Sequence, residues 1–204
     1  MPQHAVVTGG TSGIGYEMVK ILSHRGWTVH TCGRSEPGLA LVRMLPGVRT
    51  AKVDLADAAA VDEWAEHVVG ESPDGIDLLV LGAALQKEGS HEDRATASIA
   101  EEVAVNLAAP AILTARMWSS LEVARGAVVA VSSGLALVPK AAAPLYSATK
   151  SGLSAFAAGL RRRDGRTVVV TDVLLPLVDT PMTAGRGTRK MAAADAAQAI
   201  LAAA

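Results

Sequence analysis

Aromatic side chains are scarce here: one Phe, two Tyr and three Trp among 204 residues. A core built on aromatic rings is excluded, so Ala, Val and Leu must fill the interior, which suits closely packed layers of helix and sheet. Cysteine occurs once, as Cys32, so no internal disulfide can form and a reducing compartment, the cytoplasm, is expected. Neither sign of charge prevails: 19 Lys and Arg face 20 Asp and Glu, a net charge of −1 that argues against a nucleic-acid surface. There is no unbroken apolar run of about 18 residues, so no membrane span is expected. The first strand starts at His4, which leaves no room for a signal peptide. The histidines (4, 24, 30, 67 and 91) lack the spacing of metal ligands, and no metal site is expected. The one basic cluster, Arg161-Arg162-Arg163, precedes Gly165 near an expected helix end, where cations complement the helix dipole.

What is present reads as alternating strands and helices within a single domain, residues 1–204. Ala5-Val6-Val7 is a short buried strand. Thr8-Gly9-Gly10-Thr11-Ser12-Gly13-Ile14-Gly15 follows it, and an amphipathic helix then runs to about Arg25, closed by Gly26. A strand, a glycine loop and a helix start form a phosphate-binding element: the glycines let the backbone approach a pyrophosphate, and unpaired N–H groups point at it. A nucleotide is therefore expected on Gly9, Thr11, Ser12, Gly13, Ile14 and Gly15. The second strand, Trp27 to Cys32, ends in Gly33-Arg34-Ser35. A carboxylate often stands there to bind the adenosine ribose, but none is present. Arg34 suits a 2′-phosphate instead, which favours NADP(H) over NAD; the alternative is a surface arginine.

A helix is expected over 37–45 and a third strand over 48–53. Asp54 and Leu55 close that strand on the adenine side; Asp54 either receives the adenine amino group or helps start the helix over 57–69. The fourth strand, Ile76 to Leu81, ends in Gly82-Ala83-Ala84, small enough for a flat ring to lie against the backbone. A helix over 96–118 holds Asn106 near its middle. Pro110 has no N–H for the Asn106 carbonyl, so the helix either bends there as a plain kink or frees backbone groups for another role. After the fifth strand, 127–133, a helix reaches about Arg163. A valine-rich sixth strand covers 167–175, residues 182–190 read as a short mobile lid, and an alanine-rich helix spans 192–203. Six strands alternating with helices predict an α/β, doubly wound parallel sheet in the order 3-2-1-4-5-6, with helices on both faces.

The fifth strand ends in Ser132-Ser133, and the next helix opens on Tyr146 with Lys150 four residues on. That spacing places phenol and ammonium on one helix face. The chain holds its own control, since Tyr16 and Lys20 share the spacing, yet no serine-ended strand precedes Tyr16. A hydroxyl, a phenol and an ammonium meeting at a strand's carboxyl end form a site for proton transfer to a carbonyl.

Together these residues resemble the short-chain dehydrogenase/reductase family in its compact form, with a Rossmann fold. Thr8-Gly9-x-x-x-Gly13-Ile14-Gly15 matches its cofactor loop, and Asn106, Ser133, Tyr146 and Lys150 match its catalytic tetrad. Ser133 is preferred to Ser132 because it stands thirteen positions before Tyr146, the family's usual spacing. The resemblance places Gly82, Ala83, Pro176 and Val178 beside the cofactor and makes Thr180 the partner of the nicotinamide carboxamide. It implies hydride transfer from NADP(H) to a small carbonyl substrate. Tyr146 would be the acid, Lys150 together with the positive ring of the oxidised cofactor would lower its pKa, Lys150 would also hold the ribose, Ser133 would donate to the carbonyl oxygen, and Asn106 would anchor a proton-relay water. A largely apolar pocket of Ala84, Leu85, Leu135, Leu137, Pro139 and Val178 is expected; Arg186, Arg189 and Lys190 either meet an acidic substrate or are solvated.

Three departures from the family stand out: Leu81-Gly82-Ala83-Ala84 replaces Asn-Asn-Ala-Gly, Pro176-Leu177 replaces Pro-Gly, and a seventh strand is missing, which leaves the sixth as an open edge. A homo-oligomer is expected, a dimer through the helices at about 96–118 and 146–163. Epimerisation, imine or enone reduction, and a non-catalytic nucleotide-binding sensor or subunit are the other readings.

Overall fold

The computed structural model describes residues 3–163 and 167–204. Short apolar, β-branched runs form the strands, and amphipathic runs between them form the helices. In chain order these are β1 (His4–Thr8), α1 (Gly13–His24), β2 (Thr28–Gly33), α2 (Glu36–Arg43), β3 (Val48–Lys52), α3 (Ala58–Gly70), β4 (Leu78–Leu81), α4 (Thr96–Val103), α5 (Ala109–Ala124), β5 (Ala127–Ser133), α6 (Pro144–Leu160), β6 (Val169–Leu175), β7 (Val178–Asp179), β8 (Met191–Ala192) and α7 (Ala193–Ala202). Strands β1 to β6 make one parallel sheet in the order β3-β2-β1-β4-β5-β6, as the alternation predicts.

Both faces of the sheet are covered. On one, Leu113, Met117, Leu121 and Leu153 from α5 and α6 pack with Val61 and Trp64 of α3 against Val6, Leu79 and Val128. On the other, Met18, Val19 and Leu22 of α1 and Ala197 and Ile200 of α7 pack against Ala5, Val7, Val80 and Val129. Cys32 is buried in the core, which pushes its thiol up to about 12. By length and composition alone the 29-residue run Thr96–Ala124 is long and apolar enough to cross a membrane, a test that core helices also pass. Its Leu113, Met117 and Leu121 are completely buried in the core.

Three expectations are refined. The bend at Asn106 is a wide turn of π-helix, Ala104–Ala108, joining α4 to α5, with the Ala109 N–H reaching back to the Ala104 carbonyl. Pro110 explains it, because the Asn106 carbonyl cannot receive its usual α-helical donor. The segment 182–190 is tied at its base. Strands β7 and β8 pair across it, and Lys190 Nζ donates to Asp179 Oδ1 (3.1 Å) and to the Thr183 carbonyl (2.8 Å). Of the basic cluster, Arg161 caps α6 and Arg163 lies 4.6 Å over the Trp118 ring, while Gly165 lies outside the described residues.

At the opposite end of the sheet from the carboxyl ends of its strands, His30 is buried with Nε2 unpartnered among the described residues and Nδ1 3.6 Å from Glu71. Burial pushes its pKa down to about 4, with Arg49, His4 and His67 adding to the fall and Glu71 opposing it. Between about pH 6.5 and 4 the unfolded chain therefore takes up a proton that folded His30 refuses. Stability should fall as pH falls through that window, by up to about 3 kcal/mol from this group, and the His30→Gln variant should show a shallower loss. Urea denaturation of both proteins from pH 7 to 4 measures it; parallel curves would show that His30 is not the cause.

Candidate active site

At the carboxyl ends of the strands lies a cavity of about 530 Å³. Its floor is the loop between β1 and α1. The first helical bond runs from the Tyr16 N–H to the Ser12 carbonyl (3.1 Å), so the amides of Gly13, Ile14 and Gly15 have no partner within the helix. The Ser12 side chain does not cap them, no acid lies in the first turn, and these residues line the cavity. A Cβ on Gly15 would stand 2.1 Å from the Gly9 carbonyl oxygen. Gly9, at φ +76°, would bring a Cβ to 3.0 Å from Ala83 Cα, so the loop packs directly on the end of β4. This bare backbone and unpaired helix start fit the diphosphate of a dinucleotide.

Thr8 joins the glycine loop to the end of β4. Its hydroxyl donates to the Val80 carbonyl (3.2 Å) and accepts from the N–H groups of Gly82 (3.0 Å) and Ala83 (3.1 Å), tying β1 to β4. The Leu177 departure has a counterpart. Leu177 lines the cavity, and a Cβ on Gly187 would lie 2.6 Å from its Cδ2; at φ +57°, glycine there makes room for the leucine.

Ser133, Tyr146 and Lys150 all line the cavity, as do Pro176, Val178 and Thr180. Ser132 is engaged elsewhere, with its hydroxyl on the Lys150 carbonyl (3.2 Å) and on Ser154 (2.8 Å). Ser133 Oγ accepts from the Leu135 N–H (3.1 Å), which leaves its own proton to donate. Lys150, only 2% exposed, donates to the Val131 carbonyl at 2.7 Å, and its Nζ lies 5.8 Å from the Tyr146 ring centre.

The protein's own groups on balance raise Tyr146. Burial pushes its phenol up to about 12, against the pull of the Ser133 hydroxyl and of Arg186, while Glu102 adds to the rise. Burial pushes Lys150 down to about 8, with Asp172 opposing. Both shifts favour the neutral forms, because low polarity penalises either charge.

Asn106 uses its side chain within the protein. Its carboxamide accepts from the Leu85 N–H (2.7 Å) and donates to the Leu85 carbonyl (2.8 Å) and to Thr149 Oγ1 (3.1 Å). The side chain thus anchors the β4 loop to α6. Of the other predicted residues, Thr11 fills the corner beside Gly33 and Gly38, and Leu55 packs on the core. Asp54 Oδ1 accepts from the Ala56 N–H (3.0 Å), while Asp57 caps α3. Arg34 stands outside the cavity wall, with its guanidinium on Glu101 (2.8 Å) and 3.7 Å from Asp54.

Ala84, Leu135 and Val178 line the cavity, but Leu85, Leu137 and Pro139 do not; Leu137 is 73% exposed. Gln86, Glu88, Lys140 and Arg186 also stand in a wall that is otherwise largely apolar. No periodicity marks loop residues such as Gln86, Glu88 and Lys140, and only the basic character of the lid pointed to Arg186.

Comparison with known proteins agrees with this fold. Residues 3–190 match the family described as short chain dehydrogenase. Over 181 residues, 86% of this chain and 71% of the other, the chain is 36% identical to the uncharacterized oxidoreductase DltE of Bacillus subtilis. It is 28% identical to the NADPH-dependent 1-acyldihydroxyacetone phosphate reductase of Saccharomyces cerevisiae over 160 residues, 76% of this chain and 54% of that protein. Among solved structures, a short chain dehydrogenase from Burkholderia cenocepacia J2315 in complex with NADP superposes with a TM-score of 0.87 at 26% identity, covering 99% of this chain and 84% of that one.

Proposed function

The chain belongs to the short-chain dehydrogenase/reductase family, and from that premise we propose that it is an NADP(H)-dependent oxidoreductase reducing the carbonyl of a small molecule, with Tyr146 as the proton donor. The observation that carries this reading is the convergence of Ser133, Tyr146 and Lys150 on a cavity continuous with the glycine loop.

NADPH, when bound, supplies the hydride. Gly9 and Ser12 to Gly15 would hold its diphosphate, and Pro176, Val178 and Thr180 would hold its nicotinamide. With its phenol pushed up to about 12, Tyr146 keeps its proton at neutral pH and has it to give. Ser133 donates to the carbonyl oxygen as charge develops there. Lys150 directs one N–H at the Val131 carbonyl and has two left to hold the ribose and to steady the phenolate that proton donation leaves. Asn106 acts at one remove by fixing α6, which carries both Tyr146 and Lys150, to the β4 loop.

NADP(H) rather than NAD(H) is supported by Arg34 at the end of β2 and by the cofactors named for two of the similar proteins. Glu101 now engages Arg34 and must yield to a 2′-phosphate. NADPH and NADH oxidation are to be compared over a panel of ketones, aldehydes and quinones, in the native protein and in Arg34→Ala. The expected result is turnover with NADPH and little with NADH, and a preference reduced about tenfold or more in the variant, the loss of a charge-assisted hydrogen bond. An unchanged preference would remove Arg34 from cofactor choice. If neither cofactor binds, the proposal fails.

A further inference from the structure

The proton-donating groups do not use the mouth of the cavity, where three loops meet. The loop after β4 brings Gln86 and Glu88, the loop after β5 brings Lys140, and the segment after β7 brings Arg186. All three donors converge on one oxygen. Glu88 Oε1 accepts from Lys140 Nζ (2.7 Å) and from Gln86 Nε2 (3.2 Å), and Arg186 Nη1 lies 3.3 Å from it. Two cations thus face one carboxylate, which leaves the cluster with one positive charge in excess. If Glu88 served only to clasp the loops, a single cation would suffice, and the second would stand unbalanced beside the cavity. Arg186 is near enough to Tyr146 to favour its phenolate, which puts the cationic end of the cluster on the reacting side.

We propose that Gln86, Lys140 and Arg186 form a binding site for the anionic group, carboxylate or phosphate, of the carbonyl substrate, and that the Glu88 carboxylate occupies this site until the substrate's anion replaces it. This deepens the function proposed above and rests on it. Displacement is undemanding, because Glu88 sits in an irregular loop next to Gly89 (φ +133°) and its ion pairs are partly exposed. An arginine and a lysine from separate loops hold a carboxylate or phosphate better than they hold one tethered oxygen, since both oxygens of the incoming group can be used. The predicted substrates are therefore oxo acids or oxo phosphates. NADPH is oxidised and the carbonyl carbon reduced: hydride forms the new C–H bond and the Tyr146 proton the new O–H bond, giving a hydroxy acid or hydroxy phosphate.

The test is steady-state kinetics with NADPH on oxo acids from 3-oxobutanoate to 7-oxooctanoate, each beside its methyl ester, and on dihydroxyacetone phosphate beside dihydroxyacetone. At least one charged member should exceed its neutral partner about tenfold or more in kcat/KM, an advantage that shrinks as salt is added. Whether the acids or the phosphate show it distinguishes the two anions. The charged-to-neutral ratio should fall about tenfold in Lys140→Met and rise in Glu88→Gln, where the internal competitor is gone. Ratios near one for every pair, or ratios that neither variant moves, would show that Glu88 is only a clasp and overturn the anion site while leaving the reductase standing. Absence of NADPH oxidation with every carbonyl, including the neutral panel, would overturn the reading on which both rest.

Discussion

Tyr146→Phe is expected to lower turnover about a thousandfold while NADPH still binds, the size of effect that a positioned general acid contributes. The substitution removes one oxygen and keeps a ring that is 8% exposed, so α6 and the cavity wall should persist. Binding should survive because the diphosphate site is made by the β1–α1 loop and Lys150 remains tied to the Val131 carbonyl. Quenching or enhancement of NADPH fluorescence reports binding, and kcat at saturating substrate reports chemistry. The matched control is Tyr16→Phe, whose ring also has a lysine four residues on, and it should leave turnover unaltered. Near-normal turnover in Tyr146→Phe would reject this tyrosine as the proton donor.

The second large effect is on stability. Glu102 of α4 is completely buried, and its Oε2 accepts from Arg94 Nη2 at 2.6 Å; the Arg94 side chain is 11% exposed. Arg94 Nη2 also reaches the Ser98 carbonyl and hydroxyl, which fixes the loop after β4 to the first turn of α4. Arg94→Met should destabilise the protein by about 3–5 kcal/mol, because a buried carboxylate is left without its counter-charge. Removing both charges, as Arg94→Met with Glu102→Met, should restore most of the loss, since the desolvation cost disappears along with the pair. Urea denaturation of the single and double variants measures this. A single variant within about 0.5 kcal/mol of the native protein, the ordinary range for a surface substitution, would show that the pair is not structurally important.

Much of the architecture was legible in local patterns. The short apolar runs at 5–7, 78–81 and 127–131 sit in strands because β-branched and aliphatic residues without polar alternation suit a sheet covered on both faces. The glycines of the first loop announced themselves because their backbone role leaves no room for side chains. Less legible was whatever depends on residues far apart in the chain. Thr8 as the tie for the β4 loop, Gly187 as the space for Leu177, the β7–β8 pair at the base of the lid and the Arg34–Glu101 contact each join segments that no local periodicity links.

The two Tyr-x-x-x-Lys segments mark the boundary. By itself the sequence determined that each tyrosine has its lysine on the same helix face, because the helical repeat brings residues four apart together. The two Nζ–ring distances are indeed nearly equal, 5.7 Å for Lys20 and Tyr16 and 5.8 Å for Lys150 and Tyr146. Only the tertiary structure decided how they differ. The Lys20 side chain is 38% exposed and pairs with Glu17, whereas Lys150 is buried against β5 beside a cavity that also receives Ser133. Spacing along a helix fixes geometry, but burial fixes the cost of charge, and burial is set by the packing of the whole chain.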